Sequence, residues 1–430
     1  MKLNRAKGTR DFLPEEKIVR NTVVDTMRKT FEQYGFNPLE TPVLERIDVL
    51  SSKYAGGAEI LKETFQLQDQ GKRDLGLRYD LTVPFARIIA MNKGLRMPYK
   101  RYAIGRVFRD GPLKLGRYRE FWQCDVDIVG CTTVAAETEL LTLAQDVFKA
   151  LAMDVVLTVN DRRVIDAIIT QSGVPNNKQT EAILIVDKLD KVGEAAVQKE
   201  LCDTTGISSR QCKELLMLLQ TKGTNDVLFS TIKEAIGDNE GLTALQQLCT
   251  DVEGLVFSPA LARGLTYYTG SVYEAFLTDG KKIGITSSLA GGGRYDQMIG
   301  DFIGGKDTYP ALGLSFGLDV ITDALKLIQA TPVRPTVVDV YVIGINCFDQ
   351  TRQLVTKLRA GGLKVDTDLL DRGLGKNMNY ASKAGIPYVV LLGEQEINQK
   401  KVRLKNMETG DEQLLTENEC FTLLEKALIR

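Results

Sequence analysis

Three stretches of the chain carry residue types whose spacing suits chemistry on a charged substrate. Residues 93–119 hold nine Lys or Arg (Lys93, Arg96, Lys100, Arg101, Arg106, Arg109, Lys114, Arg117 and Arg119) against one acid, Asp110. Guanidinium forks match phosphate oxygens two at a time. Alternation along a strand sends some of them to one sheet face, so a triphosphate lying across a sheet is the natural guest. A solvated charged surface is the plainer alternative. Residues 261–276, LARGLTYYTGSVYEAF, combine an arginine, the adjacent Tyr267 and Tyr268, and two glycines; core aromatics beside a turn would have the same composition. Residues 291–296, GGGRYD, put glycines where a backbone can approach a ligand or simply bend. They lack the GxGxxG spacing of a dinucleotide loop.

The chain of 430 residues contains no histidine. Ser-His-Asp and Cys-His arrangements, HExxH zinc sites and imidazole acid–base catalysis are thereby excluded. The seven cysteines are odd in number and form no CxxC pair, so neither a disulfide framework nor a zinc knuckle is expected and a reducing cytosol fits. Net charge is -1, with 43% hydrophobic and 26% charged residues, as in a soluble globular protein. A polyanion would have to be held by local patches. No apolar run approaches the ~18 residues of a membrane span, and the start, MKLNRAKGTRDFLPEE, has no apolar stretch of a secretory signal. A cytoplasmic protein away from membranes is expected.

The elements that must position these residues follow from periodicity. Ile18, Val23, Met27 and Phe31 predict a helix over 15–34, stopped by Gly35. Residues 36–45 read as a short strand broken by two prolines, and 63–82 as two strands around an Asp-Gln-Gly-Lys turn. A helix should open near Pro84. Residues 99–109 and 117–129, joined by DGPLKLG, predict a long antiparallel hairpin, and 133–152 a helix. Helix patterns with short polar breaks fill 160–256. Strands are expected at 271–277 and 284–290, before the glycine cluster, and 311–328 should run from strand into helix. After a TPVRP linker (331–335), alternating strand and helix patterns predict a small α/β domain with a mostly parallel sheet.

In order along the chain, KGTRDFLPEE (7–16), LRYDLTVPFAR (77–87), FRDGPLKLGRYREFWQCDVDIVG (108–130), ARGLTYYTG (262–270) and AGGGRYD (290–296) resemble the signature segments of histidyl-tRNA synthetases. AGIPYVVLLGEQEI (384–397) resembles part of that family's anticodon-binding domain. The resemblance implies an α+β class II catalytic core (1–159 and 257–328), an antiparallel sheet flanked by helices. It also implies a helical insertion domain (160–256) and a C-terminal α/β anticodon-binding domain (331–430). The implied activity is ATP-dependent activation of L-histidine and its transfer to tRNA(His) by a homodimer whose interface is built by the first class II motif around Pro42.

The resemblance assigns roles residue by residue. Arg109 and Arg263 would meet the ATP α-phosphate, Arg263 the substrate carboxylate as well, and Arg117 the terminal phosphates. Asp80 and Thr82 would hold the substrate's amino group; Gln123 and Asp127 would line its pocket; Tyr267, Tyr268 and Tyr295 would wall the imidazole. Mg²⁺ would accompany ATP, its ligands left open between Asp110, Asp319 and others. Two positions depart from the family pattern. Thr266 stands where an aspartate is usual, and Val320 follows Gly317-Leu318-Asp319 where an arginine on the adenine is usual; a neighbouring arginine is expected to compensate. A histidine-binding paralogue, or a synthetase-like regulatory subunit that charges no tRNA, is the alternative. The missing histidines fit the main reading, because an anionic carboxylate attacks ATP without a general base, and positioning and charge neutralisation do the work.

Overall fold

The structure, a computed structural model, describes residues 3–52, 61–113, 117–262, 267–304, 308–328 and 334–428. Arg263, Thr266, the 114–116 part of the expected hairpin loop and residues 331–333 of the expected linker lie outside the described residues. The chain divides into two compact units, Met1–Arg10 with Val23–Gln329 and Asp11–Thr22 with Ala330–Arg430.

The strands of the first unit are β1 (Asn37–Pro38), β2 (Leu44–Arg46), β3 (Gln66–Gln68), β4 (Asp74–Leu77), β5 (Tyr99–Phe108), β6 (Glu120–Val129), β7 (Val155–Asp161), β8 (Leu255–Phe257), β9 (Ser271–Leu277), β10 (Ala290–Arg294) and β11 (Ala311–Gly317). β2, β4 and β3 form a small antiparallel sheet. Its turn is closed by Asp69, whose carboxylate accepts from the Arg73 amide at 3.0 Å, as polar turn residues do. The other eight form one sheet in the order β1-β5-β6-β11-β10-β9-β7-β8, antiparallel except at the β1–β5 and β7–β8 edges. Helices alone occupy the described chain from Arg162 to Asp251 between β7 and β8.

Side chains alternate between sheet faces, and the register shows the result. One row across the sheet runs Tyr102, Val126, Leu314, Gly292, Tyr273 and Val159; the next runs Ile104, Cys124, Phe316, Ala290, Ala275 and Leu157. Both are apolar apart from the Tyr273 and Tyr102 hydroxyls and pack into the main core. There Phe316 touches Phe31 of helix Pro14–Gln33 and Phe148 of helix Ala135–Ala150, each ring 5.7 Å away centre to centre. The opposite face carries Arg101, Asp127, Gly313 and Gly293 in one row and Ala103, Asp125, Ser315, Gly291 and Glu274 in the next.

The strand expected over 284–290 falls later. A short helix, Gly280–Ile283, precedes it, and the glycine cluster itself is β10, in the middle of the sheet. These glycines let neighbouring strands and side chains close in. A Cβ on Gly292 would lie 1.9 Å from the Gly313 carbonyl oxygen, and one on Gly293 would lie 2.7 Å from the Tyr268 ring. Glycine within a strand marks such close approach.

The second unit carries β12 (Val340–Gly344), β13 (Val365–Thr367), β14 (Tyr388–Leu392), β15 (Val402–Asn406) and β16 (Glu412–Leu415) in the order β13-β12-β14-β15-β16. The first three strands pair in parallel, as their alternation with helices requires. β15 and β16 add two antiparallel pairings, so the sheet is mixed rather than mostly parallel.

Candidate active site

A cavity of about 480 Å³ opens on the polar face of the eight-stranded sheet. Its lining includes nine of the ten residues singled out above: Asp80, Thr82, Arg109, Arg117, Gln123, Asp127, Tyr267, Tyr268 and Tyr295. The tenth, Arg263, is outside the described residues. Distant segments meet here because β6 and β11 run side by side, and because the chain leaves β5 into the loop that carries both arginines.

Arg109 follows β5. Its guanidinium lies 4.2 Å from the Tyr79 ring centre and 5.0 Å from that of Phe121, and its Nε donates to the Tyr79 carbonyl at 3.3 Å. Stacking between two rings fixes the plane of a guanidinium while leaving its edge free for phosphate. Arg117, across the loop, donates to Glu63 at 2.9 Å with both groups part-exposed. Of the basic run, Arg101 and Arg106 do not line the cavity. Arg106 pairs with Glu120 at 3.1 Å near Trp122, and Arg101 is wholly buried. Alternation thus splits the run between two faces, and only Arg109 and Arg117 among its described members line the cavity.

At the other end Asp127 is held from two sides. Arg101 meets its carboxylate at 2.7 Å, and the Tyr295 hydroxyl donates to it at 2.5 Å. Burial, reinforced by the Asp127 charge, raises the Tyr295 phenol well above its ordinary pKa, so Tyr295 keeps its proton and donates. Arg101 also donates to the Leu81 carbonyl at 3.1 Å and covers the Phe85 ring. Tyr267 and Tyr268 pack ring to ring at 4.5 Å, and Tyr295 meets Tyr267 edge-on at 6.1 Å. The three make an aromatic wall beside a pinned carboxylate, a shape that suits a small flat ring with an N–H to give. Gly313 keeps the floor clear, because a Cβ there would meet the Asp127 carboxylate at 2.1 Å. Asp80 opens helix Thr82–Met91 by accepting from the Val83 amide at 2.9 Å. One end therefore combines carboxylates with an aromatic box, and the far end has arginines.

Known proteins resemble this chain along nearly its whole length. The histidyl-tRNA synthetase family model matches residues 8–321, and the anticodon binding domain model matches residues 338–427. The chain belongs to the histidyl-tRNA synthetase family. It is 46% identical to histidine–tRNA ligase 1 of Bacillus thuringiensis subsp. konkukian, over 96% of this chain and 97% of that protein. It is 41% identical to histidine–tRNA ligase 2 of Shouchella clausii, over 95% and 96%. The crystal structure of histidyl-tRNA synthetase from Nostoc sp. PCC 7120 superposes with a TM-score of 0.86 at 30% identity, covering all of both chains.

The arginine end of the cavity was expected to compensate for Val320. Val320 is buried in the main core, where its Cγ1 would be 2.9 Å from a Cβ on Gly317. No third arginine lines the cavity among the described residues. Arg10 comes near, but it pairs with Asp319 at 3.1 Å and Asp323 at 3.6 Å and lies over the Tyr118 ring. The expected Mg²⁺ candidates do not fit. Asp319 is taken by Arg10 and by the Trp122 amide at 2.9 Å, and Asp110 by Arg119 at 3.1 Å. Among the described residues no group of three or more acids or cysteines is gathered to hold a metal.

Several lining or supporting residues were missed from the sequence, Tyr79, Asp187 and Glu274 among them. Asp125 and Ser315 belong to the polar row beside Asp127; strict period-two counting along 123, 125 and 127 finds Asp125. Glu63 holds Arg117, and no local pattern announces it. Arg101 was visible only as one cation of a run, and its pairing with Asp127 follows from the β5–β6 register.

Proposed function

We propose that the chain is a histidine–tRNA ligase that activates L-histidine with ATP and passes it to the 3′ end of tRNA(His). The observation that carries this reading is the single cavity with Arg109 and Arg117 at one end and the Asp127–Tyr295–Tyr267–Tyr268 box at the other. In the first step a histidine carboxylate oxygen attacks the α-phosphorus of ATP, the bond to the β-phosphate bridging oxygen breaks, and pyrophosphate leaves. The carboxylate is already an anion, so no base is needed. Arg109 neutralises charge that grows on the α-phosphate, the kind of contact worth ~100- to 1,000-fold in rate. Arg263 carries the family's matching arginine and is assigned the same duty. Asp80, Thr82 and Gln123 are assigned to the amino group, and Asp127 with Tyr295 to the ring, so that the carboxylate faces Arg109. Mg²⁺ would travel with ATP; no step is assigned to a protein ligand for it. In the second step a ribose hydroxyl of the tRNA attacks the acyl carbon and AMP leaves.

The second unit supports the tRNA side of this reading. Its carboxyl strand ends expose Phe348, Leu369 and Leu370, which are 76%, 83% and 74% accessible, beside Arg372 and Tyr380. Ligands of open α/β sheets sit at such strand ends, and unstacked bases are read by stacking more than by net charge. That suits residues 331–430, which carry fourteen Lys or Arg and thirteen Asp or Glu. Pro42 sits beside the exposed apolar Val43 and Leu44, which supports the homodimer. No helix among the described residues is long and apolar enough to cross a membrane, and the reading assigns the enzyme to the cytoplasm. Charging assays with labelled histidine and tRNA(His) test it. Stoichiometric, ATP-dependent charging is the expected result; tight histidine binding without charging would favour the non-charging paralogue.

A second reading concerns when the enzyme is made. A chain with no histidine can be translated after charged tRNA(His) has run out, and it would restore the supply. Under histidine starvation its synthesis should persist while that of histidine-containing proteins of similar size stops; a parallel fall would refute this role.

A further inference from the structure

The polar face holds a carboxylate that the reaction as described does not use. Asp125 sits on β6 between Gln123 and Asp127, is 2% accessible, and lines the cavity. Its neighbour across the β6–β11 pairing, Ser315, receives the Gln123 amide at 2.8 Å. The Oδ1 of Asp125 is buried with no hydrogen-bond partner. An unpartnered buried carboxylate oxygen costs free energy unless something completes it. The groups around it leave that completion to a cation. From β5, Arg101 is committed to Asp127 at 2.7 Å. Arg78, before the helix, gives its Nε to the Arg106 carbonyl and an Nη to the Thr41 carbonyl. Asp127, Asp80 and, three strands away in the same sheet row, Glu274 are acids and offer it no donor when ionised.

We propose that Asp125 is a further substrate-binding residue: its free oxygen receives the α-ammonium of the amino acid, jointly with Asp80, and Asp125 gives up a proton to solvent as the ammonium docks. This rests on the histidine-activating reading and adds its charge selection. Position agrees with it. Asp125 lies between Gln123, toward the phosphate end, and Asp127 under the ring wall, where the amino group of a substrate spanning the two must pass. Protonation agrees as well. Burial, with Asp127 and Asp80 nearby and against the pull of Arg101 and Ser315, pushes the Asp125 carboxyl up to about 7. In the empty site it is therefore partly protonated at neutral pH. An ammonium favours the ionised form, lowers that pKa, and drives the proton out. Histidine affinity should accordingly rise with pH through about 7, as the proton no longer has to be displaced.

The test is calorimetric titration of the full-length enzyme at pH 6, 7 and 8, in two buffers of different ionisation enthalpy, with L-histidine and with imidazolepropionate. The second ligand keeps ring and carboxylate but has no ammonium. Wild type should release about half a proton on binding L-histidine at pH 7, beyond the ring's own titration. Asp125→Asn should lose that release, weaken L-histidine ~10- to 100-fold, and leave imidazolepropionate within about twofold. Equal weakening of both ligands would mark Asp125 as structural and overturn the proposal, as would an unchanged Kd and proton count. Should the variant fail to fold, wild type decides alone, because absence of ring-corrected release with L-histidine overturns it. A wild type that binds no L-histidine removes the activation reading and this proposal together, an outcome distinct from binding without release.

Discussion

The two faces of the eight-stranded sheet are made by the same strands, one residue apart, and do opposite things. On β6, Cys124, Val126 and Ile128 enter the main core, while Gln123, Asp125 and Asp127 face the cavity. On β11 the split falls between Phe316 with Leu314 and Ser315 with Gly313. The apolar face needs volume: rings fill the space under the helices, and dense packing stabilises whichever shapes fit. The polar face needs emptiness, so glycines replace side chains and the remaining groups are few and charged. A deeply buried ion pair on this face, Arg101 with Asp127, couples the two demands, because a cavity-lining carboxylate is also a buried charge that the fold must neutralise.

Substitutions at five positions probe this contrast. Phe316→Ala on the packed face should cost ~3–5 kcal/mol of stability while the folded fraction keeps its histidine KM; thermal unfolding beside kinetics checks both. Arg101→Met leaves Asp127 buried and alone and should also cost ~3–5 kcal/mol, yet the double change Arg101→Met with Asp127→Leu should recover most of that stability and no activity. A double variant as unstable as the single one would show that the pair stabilises the sheet outright. Arg109→Ala should lower histidine-dependent ATP–pyrophosphate exchange ~100- to 1,000-fold with an unchanged melting curve. Phe348→Ala, in the second unit, should raise the KM for tRNA up to ~10-fold by loss of base stacking and leave pyrophosphate exchange alone. Loss of exchange in that variant would contradict the division of labour between the units.

Much of this contrast was readable in the chain. Period-two patterns and turn chemistry located β3 to β6, β9 and β11, and the helix after β11. Nine of the residues chosen from the sequence now line one cavity. What was not readable has physical causes. β10 hid because its glycines have no strand propensity, and its place in the sheet comes from the close approach those glycines permit. β15 and β16 extend a sheet whose first strands already satisfy an α/β pattern, so nothing local required them. Asp125 was passed over although it sits midway between two residues that were chosen. Arg101 looked like one more surface cation, since burial of a guanidinium depends on a partner that only strand register supplies.

Histidine activation on the polar face is open to direct measurement. ATP–pyrophosphate exchange by the purified enzyme, run in parallel with each of the twenty amino acids, tests it most directly. L-Histidine alone should support rapid exchange. No exchange with histidine, or equal exchange with another amino acid, would contradict the account.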